Sequence, residues 1–180
     1  MDLLRSHPTN PKWSSAIDLT RQALDDIVRE SLVIVLPATL ISVWAWAAYT
    51  VLFSHALTAT AYAALAAVSI GAFGAYQLAD RHLRAAVACY LGGLLITVTL
   101  LVGVIEPTQA VMLYVPFVVV AAMLSGTTAT VLLALICAGL AVYFDWQAGQ
   151  PTSTIMLSVS LIGLTALAAL VSSRRLYTAL

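Results

Sequence analysis

The sequence predicts an all-α integral membrane protein, a bundle of six transmembrane helices with an N-terminal amphipathic interfacial helix. Of the 180 residues, 62% are hydrophobic and 9% are charged, whereas a soluble domain carries about 25% charged residues. Apolar stretches of roughly 20 residues recur along the chain, and that length crosses a hydrocarbon core about 30 Å thick. The formal net charge is zero, so no overall field favours a nucleic-acid partner. The lipid bilayer is the predicted environment.

The basic residues support the count of six spans. With six spans, all eight Lys and Arg residues fall on one side of the membrane. Four precede the first span, Arg81 and Arg84 follow the second, and Arg174 and Arg175 follow the sixth. Basic residues resist translocation and therefore set orientation. We therefore expect a multi-pass protein of the bacterial inner (cytoplasmic) membrane with both termini in the cytoplasm.

The N-terminal region is polar and divides into two predicted parts. Residues 1–14 form a cytoplasmic tail, and residues 15–30 form an amphipathic helix that begins with a capping-box pattern, Ser15 followed by Asp18. The polar face of this helix alternates acidic and basic residues. Two interpretations stay open: the helix lies on the bilayer surface, or it docks on a cytoplasmic partner or a second copy of the chain.

The transmembrane domain is predicted over residues 31–173, with a helix exit over 174–180. Pro37 in the first span is expected to kink the helix near its entry. The second span carries a small residue at every fourth position, a pattern that lets another helix approach closely. This small-residue stripe, assigned to packing within the bundle or to an interface with another subunit, consists of Ala59, Ala63, Ala67, Gly71 and Ala75. The later spans are predicted at about 85–105, 107–124, 129–146 and 154–173, with a turn at 125–128.

The spans carry no recognisable chemistry. Ionisable groups at membrane depth are costly and usually functional, but the interiors of the six apolar stretches contain none. Glu106 and Asp145 lie at outer helix ends and are expected to be separate solvated acids, although they could flank a small outward pocket. Cys89 and Cys137 are interpreted as packing residues. No catalytic or metal-binding residue is predicted; lipid, carotenoid or quinone could bind through apolar contacts alone.

Two stretches near the C-terminal end indicate a family. Residues 114–143 read YVPFVVVAAMLSGTTATVLLALICAGLAVY, and residues 167–180 read LAALVSSRRLYTAL. They resemble the last three spans of the membrane input regions of bacterial sensor histidine kinases. In those regions a hairpin with a small turn precedes a final helix that leaves the membrane through an Arg-rich segment. The kinase module that follows it there has no counterpart within these 180 residues. We therefore expect either the membrane part of a longer product or a stand-alone relative.

Three functions remain open from the sequence. The first is a sensory, signal-input membrane module without catalytic activity of its own, which the resemblance implies and which would work as a homodimer through a sixth helix continuing past Ser173. The second is an accessory or structural subunit of a larger photosynthetic or respiratory membrane complex. The third is a small transporter or channel, against which the lack of a buried carboxylate at mid-depth argues.

Overall fold

The secondary structure is entirely helical throughout the residues that can be described. A computed structural model describes the backbone of residues 11–54, 58–102 and 107–179, and the side chains of residues 22–23, 25–52, 58–102 and 113–172. The helices are α1 (Pro11–Ser54), α2 (Ala59–Leu78), α3 (Leu83–Val102), α4 (Pro107–Leu124), α5 (Thr127–Gln147) and α6 (Thr152–Ala179).

The helices lie close to the predicted spans. Five of them are long and apolar enough to cross a membrane, and the chain is therefore a multi-pass membrane protein by length and composition. The part of α4 whose side chains are described, Leu113–Leu124, is a shorter apolar helix, so a sixth span stays a prediction. The break between α4 and α5 falls at Ser125 and Gly126, as the predicted turn requires.

The first helix runs without interruption from the N-terminal polar region into the apolar stretch. α1 contains 44 residues and includes Pro37, and no helix end separates the predicted amphipathic segment from the first span. The helix begins at Pro11, inside the predicted tail of residues 1–14; residues 1–10 lie outside the described part. A separate helix lying on the membrane surface stays a prediction.

The closest packing in the bundle joins α2 to α3. A Cβ placed on Gly71 would stand 2.9 Å from the Cα of Gly93, and a Cβ on Gly93 would stand 2.8 Å from the Cα of Gly71. Real Cβ atoms essentially never come this close to backbone, so the two glycines allow a backbone-to-backbone contact. Nearby, the buried Thr97 hydroxyl lies 3.1 Å from the Ala64 carbonyl oxygen of α2 and 2.7 Å from the Gly93 carbonyl oxygen of its own helix. Small residues thus hold the α2–α3 hairpin together.

The predicted small-residue stripe of α2 only partly faces this contact. Gly71 and Ala75 are buried and Ala67 is half-buried, whereas Ala59 and Ala63 are exposed. An α-helix turns by about 100° per residue, so each four-residue step moves about 40° around the axis. A stripe of five such residues therefore turns away from α3 towards the N-terminal end of α2. The face that is buried there consists of Ala61, Ala64, Leu65 and Val68.

The core lies around α3. Half of the residues in the most apolar segment of α3 are buried, compared with 17% in the corresponding segments of α1 and α6. The largest fully buried side chains are Tyr90 of α3 with Tyr114 and Phe117 of α4. Contacts also join α4 to α5 and α6, while α1 packs on the other side against α2, α3 and α4. α1 and α6 are therefore peripheral helices.

Candidate functional site

The polar contacts that attach α1 to the rest of the bundle include a hydroxyl pair and a surface ion pair. The Thr39 hydroxyl lies 2.6 Å from the Tyr90 hydroxyl of α3. Beside the end of α2, the Asp80 carboxylate pairs with the Arg29 guanidinium of α1, and both side chains are more than half exposed. An exposed ion pair contributes only about 0–1 kcal/mol. The end of the bundle marked by Arg81 and Arg84, between α2 and α3, is called the basic end below.

A lateral groove separates α1 from α2, beginning at the Arg29–Asp80 pair. It has a volume of about 830 Å³, within the roughly 300–1,000 Å³ typical of ligand pockets. Its walls are mainly apolar, and Trp44 closes the far end. The other lining residues of this first groove are Leu32, Val33, Leu36, Pro37, Leu40, Ser69, Ala72, Phe73, Tyr76 and Ala79.

A second groove continues the first towards the opposite end of the bundle. It has a volume of about 770 Å³ and shares Trp44 and Ser69 with the first groove. The Ser69 hydroxyl oxygen is buried and has no hydrogen-bond partner. The two grooves therefore adjoin at Trp44 and Ser69, and the buried Ser69 hydroxyl lies near the point where they meet. A long apolar molecule with a hydrogen-bonding oxygen matches this arrangement.

The first and last helices are too long for the hydrocarbon core. With 44 residues α1 is roughly 66 Å long, and with 28 residues α6 is roughly 42 Å long, at 1.5 Å per residue. In contrast, α2 and α3 have 20 residues each and measure roughly 30 Å. The Arg29–Asp80 pair places the N-terminal part of α1 at the basic end. The contact of Asp145 with Ser158 joins the end of α5 to the start of α6, so the C-terminal part of α6 also extends towards the basic end. α6 continues as a helix past Ser173 and ends at Ala179.

The prediction of a solvated Asp145 is wrong. Only 1% of this residue is exposed, and its carboxylate accepts a hydrogen bond of 2.9 Å from the Ser158 hydroxyl of α6. Ser158 lies 3.0 Å from the Thr154 carbonyl oxygen as well, so its single hydroxyl hydrogen has two acceptors. The reason for the burial is the packing of α6 across the last turn of α5. Glu106 lies outside the described residues, so no pocket shared with it can be examined.

The burial of Asp145 had a signal in the sequence that residue-by-residue reasoning missed. The buried residues of α5 form one narrow face of small or short side chains: Thr130, Ala134, Cys137, Ala141 and Asp145. Their spacings of three and four residues are those of one helix face. An aspartate that continues such a face is expected to meet the neighbouring helix. The pair Asp145–Ser158 therefore joins α5 to α6 beside their connecting loop.

The other predicted residues are distributed as follows. Arg81 and Arg84 are exposed at the basic end, while the side chains of Arg174 and Arg175 lie outside the described part. Cys137 is buried, Cys89 is half-buried, and both thiols are free. Among the described side chains, no three His, Cys, Asp or Glu residues are grouped closely enough to hold a metal ion.

Comparison of the chain with protein-family models, with curated proteins and with solved structures gives no match. The function is therefore argued from the site alone.

Proposed function

We propose that the chain is a sensory, signal-input membrane module that responds to an apolar ligand and has no catalytic activity of its own. The observation that carries this proposal is the combination found in α1. This helix borders both lateral grooves, is among the least buried of the apolar helices, and extends beyond the membrane core at the same end as α6. A ligand in the grooves and a readout at the basic end would thus share one helix.

The ligand class follows from the lining of the grooves. Apolar walls between Leu36 and Phe73 favour an acyl or isoprenoid chain. The Ser69 hydroxyl can donate a hydrogen bond to a carbonyl oxygen, the group that lipid esters and quinones share. A buried hydroxyl without a partner costs free energy, about 1–3 kcal/mol. An oxygen that satisfied Ser69 would therefore bind more tightly than a pure hydrocarbon.

The route from the groove to the readout follows the helix contacts. α1 packs against α4 as well as α2 and α3, and α4 packs against α6. A ligand that separated α1 from α2 would shift α1 on the surface formed by α3 and α4. Since packed helices have discrete arrangements, such a shift would alter the distance between the projecting ends of α1 and α6.

The test compares two neighbouring residues of equal exposure. Val33 is 64% exposed and lines the first groove, whereas Ile34 is 63% exposed and does not line it. Spin labels are placed at Asp26→Cys and Ser172→Cys in a Cys89→Ser, Cys137→Ala background, and the distance between them is measured in lipid nanodiscs by electron paramagnetic resonance. Val33→Trp fills the groove and should shift the distance distribution, while Ile34→Trp should leave it unchanged. Identical distributions in both variants would refute the proposal.

A second candidate function is an accessory subunit of a larger membrane complex. The observation that favours it is a mixed surface on α1, where Ile27 is 44% exposed beside the exposed charged residues Asp25, Asp26, Arg29 and Glu30. A surface that combines an exposed apolar side chain with charged side chains suits binding to a protein partner. Purification from native membranes in a gentle detergent separates the two functions. A self-dimer supports the sensory module, whereas a stoichiometric complex with pigment or electron-transfer proteins supports the accessory subunit.

A further inference from the structure

A third cavity lies at the basic end and is distinct from the lateral grooves. It has a volume of about 710 Å³ and is bordered by α1, α3, the end of α4 and the start of α5. Asp25 of α1 and Arg84 of α3 line it, and most of the remaining wall is apolar, including Leu91, Leu132 and Leu133. The cavity therefore combines two opposite charges with an apolar wall.

The side chains of Asp25 and Arg84 do not form an ion pair with each other. Within the described residues, the ion pair at the basic end joins Arg29 to Asp80, and none joins Asp25 to Arg84. Both Asp25 and Arg84 are exposed. A positive and a negative group that line one cavity from different helices, without an ion pair between them, are arranged to meet a ligand that carries both charges.

The position of the cavity along the membrane supports a lipid as the ligand. The apolar stretch of α1 begins after Glu30 and that of α3 begins after Arg84, so Asp25 and Arg84 both lie on the polar side of the points where these stretches start. Leu91 is two helical turns further along α3, roughly 12 Å from residue 83. The cavity thus begins at the level expected for headgroups and continues to the level of acyl chains.

Two glycines help to keep this space open. Gly92 and Gly126 both line the cavity, and a Cβ placed on either would meet nothing within 4 Å. At Gly126 the backbone turns from α4 into α5, whereas Gly92 lies within α3. A side chain at Gly92 would extend into the cavity without disturbing the helix contacts. A larger side chain at Gly92 can therefore test whether the cavity holds a ligand.

We propose that this cavity binds a zwitterionic phospholipid that carries a primary ammonium group, such as phosphatidylethanolamine. The Arg84 guanidinium offers paired N–H donors that match a phosphate. The Asp25 carboxylate accepts hydrogen bonds from the ammonium group. Choline headgroups have no N–H to donate, and headgroups with net negative charge are repelled by Asp25. The acyl chain lies along Leu91 and Leu132. The site does not depend on the signalling role of the lateral grooves.

Native mass spectrometry of the full chain in detergent tests the headgroup. The protein is mixed with phosphatidylethanolamine, phosphatidylglycerol or phosphatidylcholine of the same acyl chains, and retained lipid is counted. Phosphatidylethanolamine should be retained best. Arg84→Gln and Asp25→Asn should each weaken its retention by about tenfold, the loss of one charged hydrogen bond, and Asp25→Asn should also raise phosphatidylglycerol relative to phosphatidylethanolamine. Arg81→Gln, an exposed neighbour that does not line the cavity, is the control.

A second variant pair tests the location without touching a charge. Gly92→Leu fills the cavity, while Gly139→Leu adds the same side chain at an exposed position of α5 that also has open space. Lipid retention should fall in Gly92→Leu and stay unchanged in Gly139→Leu. The proposal would be overturned if the three lipids were retained equally, or if neither charge variant changed the retention of phosphatidylethanolamine. Equal lipid retention by the two glycine variants would also overturn it.

Discussion

Gly71 and Gly93 bring the backbones of α2 and α3 into direct contact, with 2.9 Å between the Cα of Gly93 and the position that a Cβ on Gly71 would take. Contacts of this kind are a principal source of stability for helices in lipid, where the hydrophobic effect does not drive helices together. Among the described residues, no glycine contact of this kind joins α1 to α2, where the grooves lie. The bundle therefore has one tight helix pair and one loose one.

The first prediction concerns this tight pair. Gly71→Ala should lower the free energy of unfolding by about 1–3 kcal/mol, because the added methyl group meets backbone that cannot rotate away. Gly93→Ala should act similarly, and the double variant should cost less than the sum, since one separation of the helices relieves both contacts. Unfolding in mixed micelles, followed by circular dichroism, measures these values.

Gly139→Ala is the matched control for that series. Gly139 also lies within a helix but has nothing within 4 Å of its added Cβ. It should be neutral or slightly stabilising, because alanine has the higher helix propensity. If Gly139→Ala costs as much as Gly71→Ala, the close contact is not the cause of the loss.

The second prediction uses a cysteine as a reporter of helix packing. A Cβ on Gly74 would stand 2.8 Å from the Cys89 sulfur, which is a side-chain atom rather than backbone. Gly74→Ala should therefore destabilise the protein less than Gly71→Ala does. Cys89→Ala removes the clashing sulfur, so Gly74→Ala should be less costly in that background. A double-mutant cycle measures the coupling, and a coupling near zero would contradict the contact.

The third prediction concerns the polar pair of α5 and α6. Ser158→Ala should cost about 1–3 kcal/mol, because it leaves the buried Asp145 carboxylate without its side-chain donor. Replacing both partners, with Asp145→Leu and Ser158→Ala together, should recover more than half of that loss. Ser160→Ala, at an exposed position two residues further along α6, should change the free energy of unfolding little. A double variant with a lower free energy of unfolding than Ser158→Ala would contradict this account.

The fourth prediction concerns the attachment of α1. Tyr90→Phe removes the hydroxyl that meets Thr39 and should cost about 0.5–1.5 kcal/mol. The effect should be local, so amide hydrogen exchange should rise in α1 and remain low in the α2–α3 hairpin. Tyr62→Phe, at an exposed position of α2, is the control. An equal rise of exchange in all helices would show that Tyr90 supports the whole bundle instead.

Several helix ends after α1 could be predicted from the sequence because they depend on local properties, whereas the start of α1 at Pro11 was not predicted. α4 and α5 are separated at Ser125 and Gly126, because a single helix over residues 110–146 would be about 55 Å long, nearly twice the thickness of the hydrocarbon core. α2 ends at Leu78, before the charged residues of the loop. Chain length, apolar content and loop charge were sufficient for these features.

The sites depend on how helices face each other, which local sequence does not determine. Asp145 is at a helix end, and only the path of α6 decides whether that end is covered. The alanines at positions 59 and 63 fit the small-residue pattern as well as Gly71 does, yet the rotation of the helix turns them outwards. The grooves arise from contacts that α1 does not make. Side-chain pattern alone therefore indicated the bundle but not its cavities.

The short connection between α2 and α3 has a consequence for how the protein assembles. The two helices are joined by residues 79–82, so their contacts form between segments that are near in sequence and close a small loop. Two polar contacts of α1 with the bundle, Arg29 with Asp80 and Thr39 with Tyr90, each join residues 51 positions apart. We expect the hairpin to form first during biogenesis. We then expect α1 to dock after the hairpin has formed and to separate before the hairpin does when the bundle loosens.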